Sequence, residues 1–241
     1  MALIVHLETS TKICSVALSQ DGCILFSKAD MNGPSHAVQL GLFVDEALKV
    51  AEEKGLKLDA VAVSSGPGSY TGLRIGVSMA KGLAFGSDAK VITVPTLDLL
   101  ADQFRQKVNL PDNALICPML DARRMEVYTA FYDVHGLCVE PVSAQIIDEN
   151  SFADKLQNHP VWFVGDGAEK CQSKITSGNA HFEENSYPLA EAMMPLAEKA
   201  FKENIFADTA YFEPFYLKDF VATVSKKQII PTKNLVGLCK K

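Results

Sequence analysis

Cations are scarce in this sequence: 23 Lys and Arg stand against 29 Asp and Glu in 241 residues, a formal net charge of −6. A chain that grips nucleic acid unaided needs a basic surface, and this balance argues against one. No apolar run approaches the roughly 20 residues that span a bilayer. Met1-Ala2-Leu3-Ile4-Val5 has no basic flank and soon meets His6 and Glu8. It reads as a buried strand rather than a signal peptide, and the expected location is cytoplasmic. The six cysteines are scattered, with no C-x-x-C and no paired spacing, so neither a disulfide framework nor a zinc site is expected. With 15 glycines and a 48% hydrophobic content the chain is neither fibrous nor disordered.

The order of segments carries fold information. Ala2 to Leu7 and Ile13 to Leu18 are apolar runs, Asp21-Gly22 is a hairpin signal, and Cys23 to Phe26 returns after it. Ser35 can cap a helix from about His36 to Glu53, and Gly55 ends it. Leu58 to Val63 is β-rich, Ser69 to Phe85 helical, and Lys90 to Val94 a further strand. Three antiparallel strands followed by helix, strand, helix and strand make a ribonuclease-H-like layer. The order recurs: strands at Leu115 to Leu120, Met125 to Tyr132 and Leu137 to Ile147, a short helix at Ser151 to Gln157, and a strand at Val161 to Val164. A longer helix is expected over Tyr187 to Glu203. The reading is an α/β fold of two tandem ribonuclease-H-like lobes, the actin/hexokinase/Hsp70 (ASKHA) architecture, with a single mixed α/β domain as its rival. Residues 1–100 form the N-terminal lobe, 101–187 the C-terminal lobe, 188–217 return to the lobe interface, and 218–241 are a basic tail. The tail holds Lys218, Lys226, Lys227, Lys233, Lys240 and Lys241 against Asp219, a net of +5, which leaves −11 on residues 1–217.

The most distinctive stretch is Ser64-Ser65-Gly66-Pro67-Gly68-Ser69-Tyr70-Thr71-Gly72-Leu73-Arg74-Ile75-Gly76. It reads as a strand end, a glycine-bearing turn and a helix start capped by Ser69. It is neither a Walker motif nor G-x-G-x-x-G. Gly72, Gly76 and Ala80 recur every four residues beside Met79 and Leu83, a small-residue face that lets another backbone come close. Leu73, Val77 and Ala84 form a second apolar face, so the helix is packed on two sides, one of them against a neighbouring helix or another subunit. On the preceding helix, Val38 and Leu42 interrupt the polar side. Together these predict a protein interface.

The segment Gly66 to Gly76 resembles the signature of the bacterial TsaB (YeaZ) family. His6-Leu7-Glu8-Thr9-Ser10-Thr11, Ser35-His36, Pro95-Thr96-Leu97, Asp121 to Tyr128, Gly165-Asp166-Gly167 and Glu213-Pro214-Phe215-Tyr216-Leu217 match in order. One departure is Glu8, where members commonly have Asp. The resemblance implies a non-catalytic subunit for tRNA threonylcarbamoyladenosine formation, next to the anticodon of tRNAs reading ANN codons. It implies pairing with the transferase TsaD through two N-lobe helices, carried here onto Val38, Leu42, Tyr70, Gly72, Arg74, Gly76, Met79, Ala80 and Leu83. The ATPase TsaE joins, and tRNA is met indirectly through the complex. A third reading has the isolated chain self-associate through the same helices when TsaD is absent, with a monomer as its alternative. TsaD holds a metal on H-x-x-x-H, where this chain reads Val94 to Leu100 without histidine, so no metal is expected. Actin-like ATPases place carboxylates at the ends of the two first strands. That pattern puts weak ATP or ADP with Mg at Glu8, Thr9, Ser10, Asp121, Gly165, Asp166 and Gly167. The competing reading is a stand-alone ATPase or kinase of this fold, or an M22-like peptidase.

Overall fold

The structure, a computed structural model, describes residues 2–33 and 36–218. The expected cap Ser35 and the tail beyond Lys218 lie outside the described residues. The N-lobe contains β1 (Leu3–Glu8), β2 (Cys14–Gln20), β3 (Cys23–Asp30), α1 (His36–Glu53), β4 (Ala60–Gly66), α2 (Tyr70–Ser87) and β5 (Lys90–Pro95). Helix α3 (Thr96–Arg105) leads to β6 (Leu115–Asp121), β7 (Glu126–Asp133), β8 (Cys138–Ile146), α4 (Ala153–Asn158), β9 (Val161–Val164), α5 (Ala168–Cys171) and β10 (Ala180–Phe182). A 3-10 turn (Ala190–Met193) and α6 (Met194–Lys202) follow. The sheets have orders β3-β2-β1-β4-β5 and β10-β9-β6-β7-β8, with the first three strands of each lobe antiparallel and the rest parallel. This is the duplicated ribonuclease-H-like, ASKHA-type α/β fold that the segment order predicts.

Side-chain alternation distributes the cores. On β1, Leu3, Val5 and Leu7 face α1 and α2, meeting Leu40, Phe43, Val44, Val77 and Ala80. Ile4 faces the other way, with Ala60, Ala62, Ile92 and Val94, under Leu99, Met193 and Ala197. The N-lobe sheet is therefore closed on its second face by α3 and by elements that follow the C-lobe. In the C-lobe, Cys117, Met119, Val127, Phe131 and Phe163 pack on Leu156, Ala168 and Cys171. The opposite face, Ile116, Leu120, Ala130, Tyr132 and Val164, receives Leu97, Leu100 and Phe104 of α3. Helix α3 thus lies between the two sheets.

Local signals account for the element ends. Asp21 (φ 49) and Gly22 (φ 79) make the β2–β3 turn. Ser69 accepts the amide of Gly72 at 3.2 Å, the expected cap of α2. Gly55 (φ 65) closes α1, with Leu56 N donating to Ala51 O at 2.9 Å. The expected single helix over Tyr187 to Glu203 is instead a 3-10 turn and the nine-residue α6. Pro188 and Pro195 lack the amides that a continuous helix would use, and Pro195 sits in the first turn of α6, where that costs nothing. Beyond α6 the chain straps back over the N-lobe. Ala207 N donates to Val91 O at 2.9 Å, Phe215 N to Ser65 O at 2.7 Å, and Tyr216 lies 4.8 Å from Tyr70, ring to ring.

Candidate functional site

The glycine turn and the loop after β1 are built against each other. Ser69 N donates to Ser10 O at 2.6 Å, and the Thr9 hydroxyl donates to Gly72 O at 2.8 Å. A Cβ on Gly68 would lie 2.4 Å from Ser10 O, on Gly72 2.1 Å from Thr9 O, and on Gly76 2.3 Å from Thr9 Oγ1. Gly72, Gly76 and Ala80 are all buried. The expectation that these three receive a partner's backbone is therefore corrected: the segment that comes close is this chain's own β1–β2 loop, with Ala80 in the core behind it. Met79 and Leu83 are half-buried against the same core. Tyr70 and Arg74 stand at the open end of α2, where an Arg74 guanidinium N–H donates to the Tyr70 hydroxyl at 2.9 Å.

The free surface of these helices lies elsewhere. On α1, Val38 is 68% and Leu42 54% exposed. At 100° per residue, α2 presents a second arc running through Met79, Gly86, Ile75 and Gly82 to Phe85. Phe85 is 89% exposed, and a Cβ on Gly82 or Gly86 would meet nothing within 4 Å. Gly41 of α1 faces Met79, whose Cε lies 3.9 Å from the position of an added Cβ, so the two helices pack side by side. The exposed side of the helix pair thus carries Val38, Leu42 and Phe85 around the open positions Gly82 and Gly86, beside the exposed Asp45–Lys49 ion pair. Gly82, Phe85 and Gly86 are the residues that sequence reading missed. The helical angle opposite Leu73, Val77 and Ala84 was the signal that could have found them.

The cleft residues fall into two clusters. Glu8 is fully buried; its Oε1 accepts Ser10 N at 2.6 Å and Ser10 Oγ at 2.5 Å, and its Oε2 has no partner. Burial pushes its carboxyl up to about 7. In the C-lobe, Asp121 pairs with Lys170 and accepts Arg123 N at 2.8 Å, while Asp166 accepts Asp121 N at 3.1 Å. Burial raises the Asp166 carboxyl above its usual range. A Cβ on Gly165 would lie 2.3 Å from Met119 O, and one on Gly167 2.9 Å from the Leu120 carbonyl carbon, so both glycines serve packing on β6. Lys12 bridges the lobes, its ammonium 4.9 Å from the centre of the Tyr187 ring. These residues do not fit a nucleotide with magnesium. Glu8 is sealed beneath the loop that would hold phosphate, and Asp121 is held by a lysine.

The sealed carboxyl makes a measurable prediction. Its folded pKa of about 7 lies above the ordinary 4.5, so the fold favours the neutral acid. That contribution is complete below pH 4.5 and is lost as pH rises through 7. Glu8→Gln is expected to match the parent at pH 4.5 and to be more stable than it at pH 8, by up to about 3 kcal/mol, with a correspondingly higher melting temperature. Thermal melts across this range check it, and parallel curves would refute it.

Comparison with known proteins follows from this geometry. The family model described as TsaD, tRNA N6-adenosine threonylcarbamoyltransferase, matches residues 31–226. The chain is 31% identical to the tRNA threonylcarbamoyladenosine biosynthesis protein TsaB of Haemophilus influenzae, over 89% of this chain and 93% of that protein. It is 28% identical to the TsaB of Escherichia coli, over 91% and 96% of the two chains. The solved structure of YeaZ from Pseudomonas aeruginosa superposes with a TM-score of 0.71 at 26% identity, covering 90% of this chain and all 100% of that one.

Proposed function

This chain belongs to the TsaB (YeaZ) family, and from that premise we propose that it is the non-catalytic subunit which docks on the transferase TsaD and holds it in working form. Its task is the formation of threonylcarbamoyladenosine in tRNAs reading ANN codons, with TsaE joining the complex. The observation that carries this reading is the set of exposed apolar residues Val38, Leu42 and Phe85 on α1 and α2, beside a cleft in which Glu8 is buried and Asp121 is paired with Lys170. The helices offer a surface without an occupant in the described residues.

Reconstitution tests the reading. With TsaD, TsaE, threonylcarbamoyl-AMP and tRNA, omission of this chain is expected to reduce transfer to the level of TsaD alone, and adding it back to restore it. Transfer unaffected by omission would refute the proposal, as would ATP turnover by the purified chain alone. The same face pairs two copies when TsaD is absent. Sedimentation of the isolated chain is expected to show a dimer that dissolves on addition of TsaD.

A further inference from the structure

Among the described residues, the exposed Phe and Tyr side chains are Tyr70, Phe85, Tyr211, Phe215 and Tyr216, and all of them lie on α2 or on the strap. The strap runs alongside this helix. The Lys81 ammonium donates to Ala210 O at 3.2 Å, and further along the strap the Tyr216 ring meets that of Tyr70. At 100° per residue, Tyr70, Arg74, Lys81 and Phe85 fall within about 60° of the helix circumference. Phe85 therefore stands on the side that meets the strap, one turn beyond Lys81.

The strap backbone is fixed where these rings leave it. Asp208 Oδ1 accepts the amides of Ala210 at 2.8 Å and Tyr211 at 3.1 Å, and Phe212 N donates to Asp208 O at 2.8 Å. The Phe212 side chain packs on the N-lobe core, so the turn that presents Tyr211, 85% exposed, is anchored from beneath. At the other end Phe215 N is bonded to Ser65 O, and Arg74 Cζ lies 5.3 Å from the centre of the Tyr70 ring. Tyrosine and arginine side chains ordered before contact are those on which interface affinity concentrates, because little freedom is left to lose on binding.

Charge decides what kind of partner fits. Helix α2 holds Arg74 and Lys81 and no acid, while residues 205–217 hold Asp208 and Glu213 and no cation. A surface so balanced does not suit a phosphate backbone, which needs an excess of cations. Lys81 and Asp208 are engaged by the strap backbone, whereas Arg74 pairs with no carboxylate among the described residues. We propose that the strap is the second half of the docking surface: Tyr211, Phe215 and Tyr216, with Phe85 and Arg74 of α2, close on an apolar patch of TsaD that carries a carboxylate for Arg74. The inference rests on the docking role proposed above and extends it from the helix pair to the strap.

The test measures TsaD affinity of the full chain carrying Tyr211→Ser or Arg74→Gln, with Leu42→Asp as the probe of the helix pair. Both strap-side residues are exposed, so both variants are expected to melt with the parent. Tyr211→Ser should weaken TsaD binding about tenfold or more. Arg74→Gln should weaken it by a similar factor and flatten its decline with salt, the mark of a lost ion pair. Parental affinity in both, while Leu42→Asp disrupts the complex, would overturn the strap contact and leave the helix docking standing. Parental affinity in all three, or no binding of the parent chain to TsaD, would overturn both. Weakened tRNA binding by the assembled complex at unchanged TsaD affinity would also overturn the proposal, since the strap would then serve RNA.

Discussion

Gly82→Arg should leave the chain more stable and unable to hold TsaD. Gly82 stands on the exposed arc of α2 with nothing within 4 Å of an added Cβ. Within a helix, exchange of glycine for arginine gains about 0.5–1 kcal/mol, so the melting temperature is expected to rise. The same arginine raises a charged post in the middle of the face between Leu42 and Phe85. A desolvated, unpaired charge in an interface costs 2 kcal/mol or more, roughly a 30-fold loss of affinity, and a steric block adds to it. Leu42→Asp should act alike, since Leu42 is 54% exposed and its removal leaves the core of α1 intact. Phe85→Lys completes the set, with a cation in the last turn of α2 that suits the helix dipole. Co-elution with TsaD and thermal melts give the two readouts. An intact complex with Gly82→Arg would exclude this face as the docking surface.

The second large effect has the opposite origin. Gly72 and Gly82 belong to the same helix, yet Gly72→Ala should unfold what Gly82→Ala stabilises. The added methyl at Gly72 would lie 2.1 Å from the backbone oxygen of Thr9, which directly follows the β1–β2 pairing and is tied to α2 by the Thr9–Gly72 hydrogen bond. Neither side can retreat without breaking the junction of loop and turn. A loss above about 3 kcal/mol is expected, at the upper end for overpacking. Gly76→Leu, whose Cβ alone would approach Thr9 Oγ1 to 2.3 Å, should be worse. Urea midpoints measure both; near-parental stability of Gly72→Ala would show that the loop yields.

These two glycines mark the limit of what sequence could tell. The four-residue spacing of Gly72, Gly76 and Ala80 states that a backbone must come close, but not whose. Here the chain's own loop takes that place, and the exposed residues Gly82, Phe85 and Gly86 fall on the opposite arc. The strands from β1 to β9 were legible because they are apolar runs bounded by turn residues, whereas the three-residue edge strand β10 (Ala180–Phe182) was too short to be read. Helix α3 was not read, although it is packed from both sheets: Leu97, Leu100 and Phe104 serve one side and Leu99 the other, while Asp102 and Gln103 are buried as well. Gln103 is satisfied by Tyr187 O and Leu189 N, partners far along the chain that no local pattern announces. The cleft is a third case. Glu8, Asp121 and Gly165-Asp166-Gly167 stand in the order of a nucleotide site, and only coordinates show Glu8 covered and Asp121 paired.

The strap that returns over the N-lobe ties the first lobe to the far end of the described chain. Residues 3–95 supply the strands and the α1 and α2 helices of the first lobe, while Leu99, Met193 and Ala197 cover its second face and Ala207 makes its edge contact. On a ribosome that delivers about 5–20 residues per second, Met193 and Ala197 emerge only after the second lobe has been made, so Ile4, Ile92 and Val94 gain the last of their cover late.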